Sequence, residues 1–264
     1  MSLKYAAISD RGMLRAKNED SCNIVLAADG SPQAFIVADG MGGHEAGDVA
    51  SAMAVQIVSD EVAVLIQNPD NDSSVKELLE DAILKANARI YQYSLRKLSG
   101  LGTGTTLTAG VLHKEKLTVA HIGDSRFYLL RNGQLQKLTR DHSFVGELVD
   151  KGILDAEEAK THPLRNQITR ALGYEAQIEI DFFEIDIYRD DIWLFCTDGL
   201  TQKVTSDELL SMLANADDPG TRRADPNRRD VRRNGDGDRP CRAAEEYKPV
   251  EAGGARLLER LLAR

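Results

Sequence analysis

Apolar residues along the chain recur with two different periods. Between residues 45 and 67, Ala50, Met53, Ala54, Ile57, Val58 and Val62 return at helical spacing, which predicts a long helix with one buried face. Residues 75–98 repeat the pattern with Leu78, Leu79, Ala82, Ile83, Ala86 and Ile90. The polar break at 68–74 between them predicts an antiparallel helix pair. The period then falls to two over 105–112, 116–122, 126–131 and 134–138, which predicts a β-meander, with Asn132-Gly133 as the tight turn of its last hairpin. Residues 34–38 (Ala-Phe-Ile-Val-Ala), bounded by Pro32 and Gly40, predict a buried strand, and residues 5–9 a short one. Helical spacing returns over 144–160. Strands follow at 177–187 and 191–196, then a helix over 206–214 capped by Ser206 or Asp207. Helices and strands come in blocks rather than in strict alternation, so the expected class is α+β with antiparallel sheets.

The pattern fails after about Pro219. Arg222, Arg223, Arg228, Arg229, Arg232, Arg233, Arg239 and Arg242 crowd a stretch almost without apolar residues, which cannot offset the entropy of ordering. Only residues 255–262 suggest a short amphipathic helix. Two units are expected: a globular domain over 1–218 and an atypical Arg-rich tail over 219–264.

With 42% hydrophobic and 28% charged residues, the chain has the composition of a globular protein. Its net charge of -9 argues against nucleic acid as a partner and leaves carboxylates to spare for cations. Cys22, Cys196 and Cys241 are isolated, which suggests neither a zinc site nor a disulfide framework. No signal peptide is read at the start, and no apolar run is read as a membrane span, so the expected location is cytoplasmic.

Three apolar strands run directly into an acid beside a small residue: Ala-Phe-Ile-Val-Ala-Asp-Gly at Asp39-Gly40, His-Ile-Gly-Asp-Ser at Asp124, and Leu-Phe-Cys-Thr-Asp-Gly at Asp198-Gly199. Glu19-Asp20 precedes another strand. Taken singly, each Asp-Gly reads as a turn. Together they predict carboxylates converging at one rim of a sheet, where they repel one another unless a cation neutralises them. An oxygen-only ligand set favours hard ions such as Mg²⁺ or Mn²⁺.

The segments that hold these residues carry a resemblance. Arg15 to Asp20, residues 37–51 (Val-Ala-Asp-Gly-Met-Gly-Gly-His-Glu-Ala-Gly-Asp-Val-Ala-Ser), 102–110, 121–130, 138–143 (Leu-Thr-Arg-Asp-His-Ser), 166–173 and 194–201 resemble, in order and spacing, the bacterial metal-dependent protein phosphatases of the PPM or protein phosphatase 2C family. The match covers roughly residues 1–216. It implies a four-layer α-β-β-α sandwich with two antiparallel sheets and a dinuclear metal site between them. It implies two to three Mn²⁺ or Mg²⁺ ions. Asp39 would bridge two of them, the Gly40 carbonyl would ligate one, and Asp198 would hold the first. Asp20, with Glu19 through water, would serve the second. Asp124 and Asp198 would form a third site. Arg15 would bind the substrate phosphate, and His44 would protonate the leaving group. The implied reaction is hydrolysis of phosphoserine and phosphothreonine by a metal-bridging hydroxide. The implied partners are phosphorylated proteins, among them a bacterial Ser/Thr kinase and its substrates. His121 reads as a core residue supporting the site, and His142 as a residue that stabilises the base of a variable flap over about 143–173. Gly102, Gly104 and Thr105 suggest a phosphate loop, but the P-loop Lys-Ser/Thr ending is absent.

One feature departs from the family. Members end with a Gly-Gly-x-Asp-Asn segment running into an apolar strand, and here Gly253-Gly254 is followed by Ala255-Arg256. Two readings compete: an altered translation product after about residue 218, or a native tail on an atypical member. The latter keeps a second functional class open, a catalytically impaired phosphoprotein-binding or scaffold protein of the same fold. A phosphatase of small phosphoesters is a third.

Overall fold

The structure, a computed structural model, describes residues 3–12, 15, 17–42, 46–67, 74–97 and 102–215. The expected tail, its helix over 255–262 and most of the 68–74 break lie outside them.

β1 (Asp20–Leu26) and β2 (Pro32–Met41) form an antiparallel hairpin in which Asp20 stands opposite Asp39. α1 (Gly47–Gln67) and α2 (Val75–Lys97) follow and pack against each other. β3 (Gly104–Thr105) pairs with the end of β2, and β4 (Leu107–His113) with its middle. β5 (Lys116–Ile122) completes a hairpin with β4. At Gly123 the chain leaves this sheet for a second one, where β6 (Arg126–Arg131) and β7 (Gln134–Lys137) turn on Asn132 and Gly133. α3 (Phe144–Asp150) and α4 (Ala156–Thr161) form an excursion, after which β8 (Asp181–Asp186) rejoins the first sheet beside β5. β9 (Ile192–Cys196) joins the second beside β6, and α5 (Asp198–Thr201) and α6 (Ser206–Ala214) close the described chain.

Among the described residues the first sheet runs β1-β2-β4-β5-β8 with β3 on β2, and the second runs β7-β6-β9. Alternation along the strands explains the layering. Ala34, Ile36, Ala109, Val111, Ala120 and Ile122 meet Val58, Val62, Leu79, Ile83 and Ile90 of the helix pair. Leu117 and Val119 point the other way, onto Phe127, Phe183, Trp193 and Phe195 between the sheets. Tyr128, Leu130, Leu194 and Cys196 on the far face of the second sheet are covered by Leu200, Val204, Leu209 and Leu213. This is the expected order of helix, sheet, sheet, helix.

Several local expectations are corrected. Residues 5–9 form no strand; Tyr5 only donates its hydroxyl to the Gly30 carbonyl, at 3.3 Å. The meander is not one sheet, because β5 and β6 belong to different sheets. The helix over 144–160 is two helices, the second restarted by a capping box of Asp155 and Glu158. The cap of α6 is Thr205, whose hydroxyl accepts from the Glu208 N–H, and not Ser206 or Asp207. Gly47–Ile66 has the length and hydropathy of a membrane span, contrary to the reading that no run does; here its apolar side is packed into the protein as a core helix.

Candidate metal centre

Asp39 is placed by its main chain. Its N–H donates to Thr106 Oγ1 (2.8 Å), and its carbonyl accepts from the Thr106 N–H (2.9 Å) and the Thr105 hydroxyl (2.9 Å). With both backbone groups satisfied by one Thr-Thr pair, the side chain is free to face Asp20 across the hairpin. Asp20 Oδ2 accepts from the Thr197 hydroxyl at 2.9 Å, whereas its Oδ1 is buried with no hydrogen-bond partner among the described residues. Thr197 also leads directly into Asp198, which opens α5. Asp124 lies two residues beyond β5; the hydroxyls of its neighbour Ser125 and of Thr106 share a 2.6 Å hydrogen bond.

These acids sense one another. Burial, then Asp20, Asp198 and Asp124, pushes the Asp39 carboxyl up to about 9. Burial, then Asp198 and Asp141, pushes Asp124 up to about 7, against the pull of Arg126. Burial raises Asp20 as well, with Asp198 adding to it and Arg15 opposing it. The site therefore holds more negative charge than its surroundings compensate.

Glu19 and Gly40 form the adjoining wall. The Gly40 N–H donates to the Glu19 carbonyl at 3.0 Å, and the Ser51 hydroxyl donates to the same oxygen at 2.6 Å. A Cβ on Gly40 would lie 2.0 Å from the Gly47 carbonyl oxygen, so the approach of α1 to β2 requires glycine there. Arg15 is exposed beside this cluster, near enough to lower the Asp20 pKa. His44 lies outside the described residues.

The four aspartates thus share one region, though not all as strand ends: β2 continues through Asp39 to Met41, and Asp198 begins a helix. Among the described residues no three His, Cys, Asp or Glu side chains close on a single ion position. The residues nevertheless fit a hard divalent cation. The donors are all oxygens, one buried carboxylate oxygen has no partner among the described residues, and burial first, then the neighbouring acids, raises the carboxyl pKa values in a way that a bound cation would offset.

Sequence reasoning did not foresee the threonines. Thr105, which with Gly102 and Gly104 suggests a phosphate loop, instead anchors Asp39 together with Thr106, and Thr197 holds Asp20 from beside Asp198. Their signal was adjacency to the acids. His121 is buried as expected, its Nε2 donating to the Arg140 carbonyl at 2.8 Å and its Nδ1 paired with the Thr108 hydroxyl at 2.9 Å.

The family model for protein phosphatase 2C matches residues 14–228. The serine/threonine phosphatase Stp of Listeria welshimeri is 41% identical over 208 residues, covering 78% of this chain and 81% of that protein. The crystal structure of the Mycobacterium tuberculosis serine/threonine phosphatase PstP/Ppp superposes with a TM-score of 0.74 at 32% identity, covering 98% of this chain and 92% of that one. The catalytic domain of PstP in complex with two manganese ions superposes with a TM-score of 0.68 at 37% identity, covering 80% of this chain and 84% of that one.

Proposed function

The chain belongs to the protein phosphatase 2C family, and on that premise we propose that it hydrolyses phosphoserine and phosphothreonine in proteins with divalent metal ions held by its buried carboxylates. The observation that carries this reading is the Asp20–Asp39 pair, with one carboxylate oxygen unpartnered and both carboxyl pKa values raised by burial and by neighbouring acids. Bound divalent ions supply Lewis acidity and an ionised water near neutral pH.

The chain's own residues do the rest. Asp39, Asp20, Asp124 and Asp198 hold the ions, Glu19 and the Gly40 carbonyl complete the wall, and Thr105, Thr106 and Thr197 keep the acids oriented. Arg15 offers a planar fork to two phosphate oxygens. His44 supplies the proton that the leaving serine or threonine oxygen needs. The resemblance of the motifs between Arg15 and Thr201 to bacterial members supports the finer reading of two or three Mn²⁺ or Mg²⁺ ions, a catalytic unit over 1–218 and opposition to a Ser/Thr kinase, and the isolated Cys22, Cys196 and Cys241 support a reducing, cytoplasmic location.

The test is phosphate release from a phosphothreonine peptide with Mn²⁺, with Mg²⁺ and with EDTA. Release should appear with a divalent ion and vanish with chelator. Release that persists in EDTA would overturn the metal reading. Tight phosphopeptide binding without turnover in any ion would favour the scaffold class, which the departure after Gly253-Gly254 keeps in play.

A further inference from the structure

His142 is 3% exposed and closes on Gly123 with two groups at once. Its N–H donates to the Gly123 carbonyl at 2.8 Å, and its Nδ1 accepts from the Gly123 N–H at 3.1 Å. Gly123 stands at φ +103, and a Cβ there would meet the Thr106 side chain at 2.5 Å, so only glycine fits. Gly123 is both the crossing point between the sheets and the residue that launches Asp124.

The other side of His142 faces the excursion that contains α3 and α4. With Nδ1 accepting, the ring proton sits on Nε2, which donates to Asp181 Oδ2 at 3.1 Å; Asp181 Oδ1 accepts from Arg170 Nη1 at 3.0 Å. The His142 carbonyl accepts from the Thr169 N–H at 2.8 Å, and the Phe144 N–H donates to the Gln167 carbonyl at 2.8 Å. Ser143 and Ile168 form a β-bridge. Both ends of the 143–168 segment therefore meet at His142.

We propose that His142 is a positioning residue that clasps Gly123 to the neck of the 143–168 segment, so that the direction of the Asp124 carboxylate and the placement of that segment are set together. Cation binding at Asp124 and the order of the segment are then linked. This rests on Asp124 being a metal ligand.

Two isosteric variants separate the clasp from plain packing. His142→Asn keeps an acceptor near Nδ1 and loses the bond to Asp181. His142→Gln keeps a donor near Nε2 and loses the acceptor for Gly123. Mn²⁺ titration calorimetry and amide hydrogen exchange over 144–168, with and without Mn²⁺, would be run on both, with melting in EDTA as the folding control. His142→Gln should weaken Mn²⁺ binding at least about tenfold, the usual cost of losing an outer support of a metal ligand, and should abolish Mn²⁺-dependent protection of the segment. His142→Asn, which cuts only the segment side of the clasp, should keep the Mn²⁺ affinity and lose the Mn²⁺-dependent protection. Equal losses of Mn²⁺ affinity in the two variants, unchanged Mn²⁺ affinity in His142→Gln, or unchanged Mn²⁺-dependent protection in His142→Asn, would overturn the proposal. Should His142→Gln fail to fold, Asp181→Ala takes its place, and unchanged Mn²⁺-dependent protection there overturns the proposal. Asp124→Asn separates the two claims: wild-type Mn²⁺ binding in that variant removes the ligand assignment, whereas weakened binding there with an unaffected His142→Gln removes the clasp alone.

Discussion

At the scale of single residues, the site is defined by charge that the protein does not neutralise. Asp39 shows the consequence. Its folded pKa of about 9 lies far above the ordinary carboxylate value, so without metal the folded protein keeps a proton that the unfolded chain releases. Its effect on metal-free stability is absent at low pH and grows unfavourable as pH rises from about 4 to about 9. Asp39→Asn removes that titration. In EDTA the variant should melt higher than wild type at pH 8, and the difference should shrink toward pH 5. Its Mn²⁺-dependent kcat/KM should fall at least about 100-fold, because the amide cannot serve as an anionic ligand. Substantial Mn²⁺-dependent turnover in Asp39→Asn would remove this residue from the centre. Arg15 makes a different prediction. If its guanidinium holds the phosphate equally in ground and transition states, Arg15→Ala should raise KM for phosphopeptides more than it lowers kcat. Steady-state kinetics showing an unchanged KM would leave Arg15 a surface residue. The acids were legible because three apolar runs ending in Asp, together with Glu19-Asp20, are harder to explain as turns than any one of them alone. The supporting threonines were not, since Thr is an ordinary strand residue and only the register shows what its hydroxyl meets.

At the scale of elements, periodicity located α1, α2 and most strands to within a few residues, and it went wrong where one residue redirects the chain. Thr106 interrupts what reads as one strand and divides it into β3 and β4, because its N–H and hydroxyl serve Asp39 instead of a ladder. Thr205 outcompetes Ser206 as the cap of α6 because it is the residue with Glu208 three positions on. β5 shows how an element can carry a pH response independent of metal. His121 on that strand is held neutral between Thr108 and the Arg140 carbonyl, and burial first, then His142, lowers its pKa to about 4. The unfolded chain takes up that proton near the ordinary histidine value of about 6.5, so the contribution of His121 to stability is intact above that pH and is lost as pH falls toward 4. The Asp39 effect runs in the opposite direction, so the comparison must be between variants. His121→Gln keeps a donor for Arg140 and cannot titrate. Urea melts in EDTA should show it less stable than wild type at pH 7.5, with the gap closing by pH 4.5. A gap independent of pH would mean that His121 is not buried in its neutral form.

At the scale of the whole molecule, block patterning made the antiparallel α+β class legible and the family resemblance implied the layer order, but the spacing did not show the partition of strands between sheets. Spacing along 105–138 is the same whether successive strands share a sheet or cross over, and the deciding feature is the backbone at Gly123. The partition leaves β9 at an edge: among the described residues it pairs with β6 alone. Its side chains serve both the inter-sheet core, through Trp193 and Phe195, and the outer core, through Leu194 and Cys196, and Trp193 Nε1 is buried without a partner among the described residues. An edge that borders two apolar layers and lies just before Asp198 is a place where added pairing should stabilise core and site together. Replacing residues 216–264 with a segment that carries Gly-Gly-x-Asp-Asn and runs into an apolar strand tests this. The chimera should melt higher, by about 2–4 °C for each kcal/mol gained in a domain of this size. It should also bind Mn²⁺ more tightly, because ligand charge count governs the affinity of hard ions and the graft would bring the acid that Ala255-Arg256 does not supply. Calorimetry and melting on the two proteins read both effects. Equal affinity and equal melting temperature would mean that an acid of the present chain, such as Asp236 or Asp238, already fills the ligand's place.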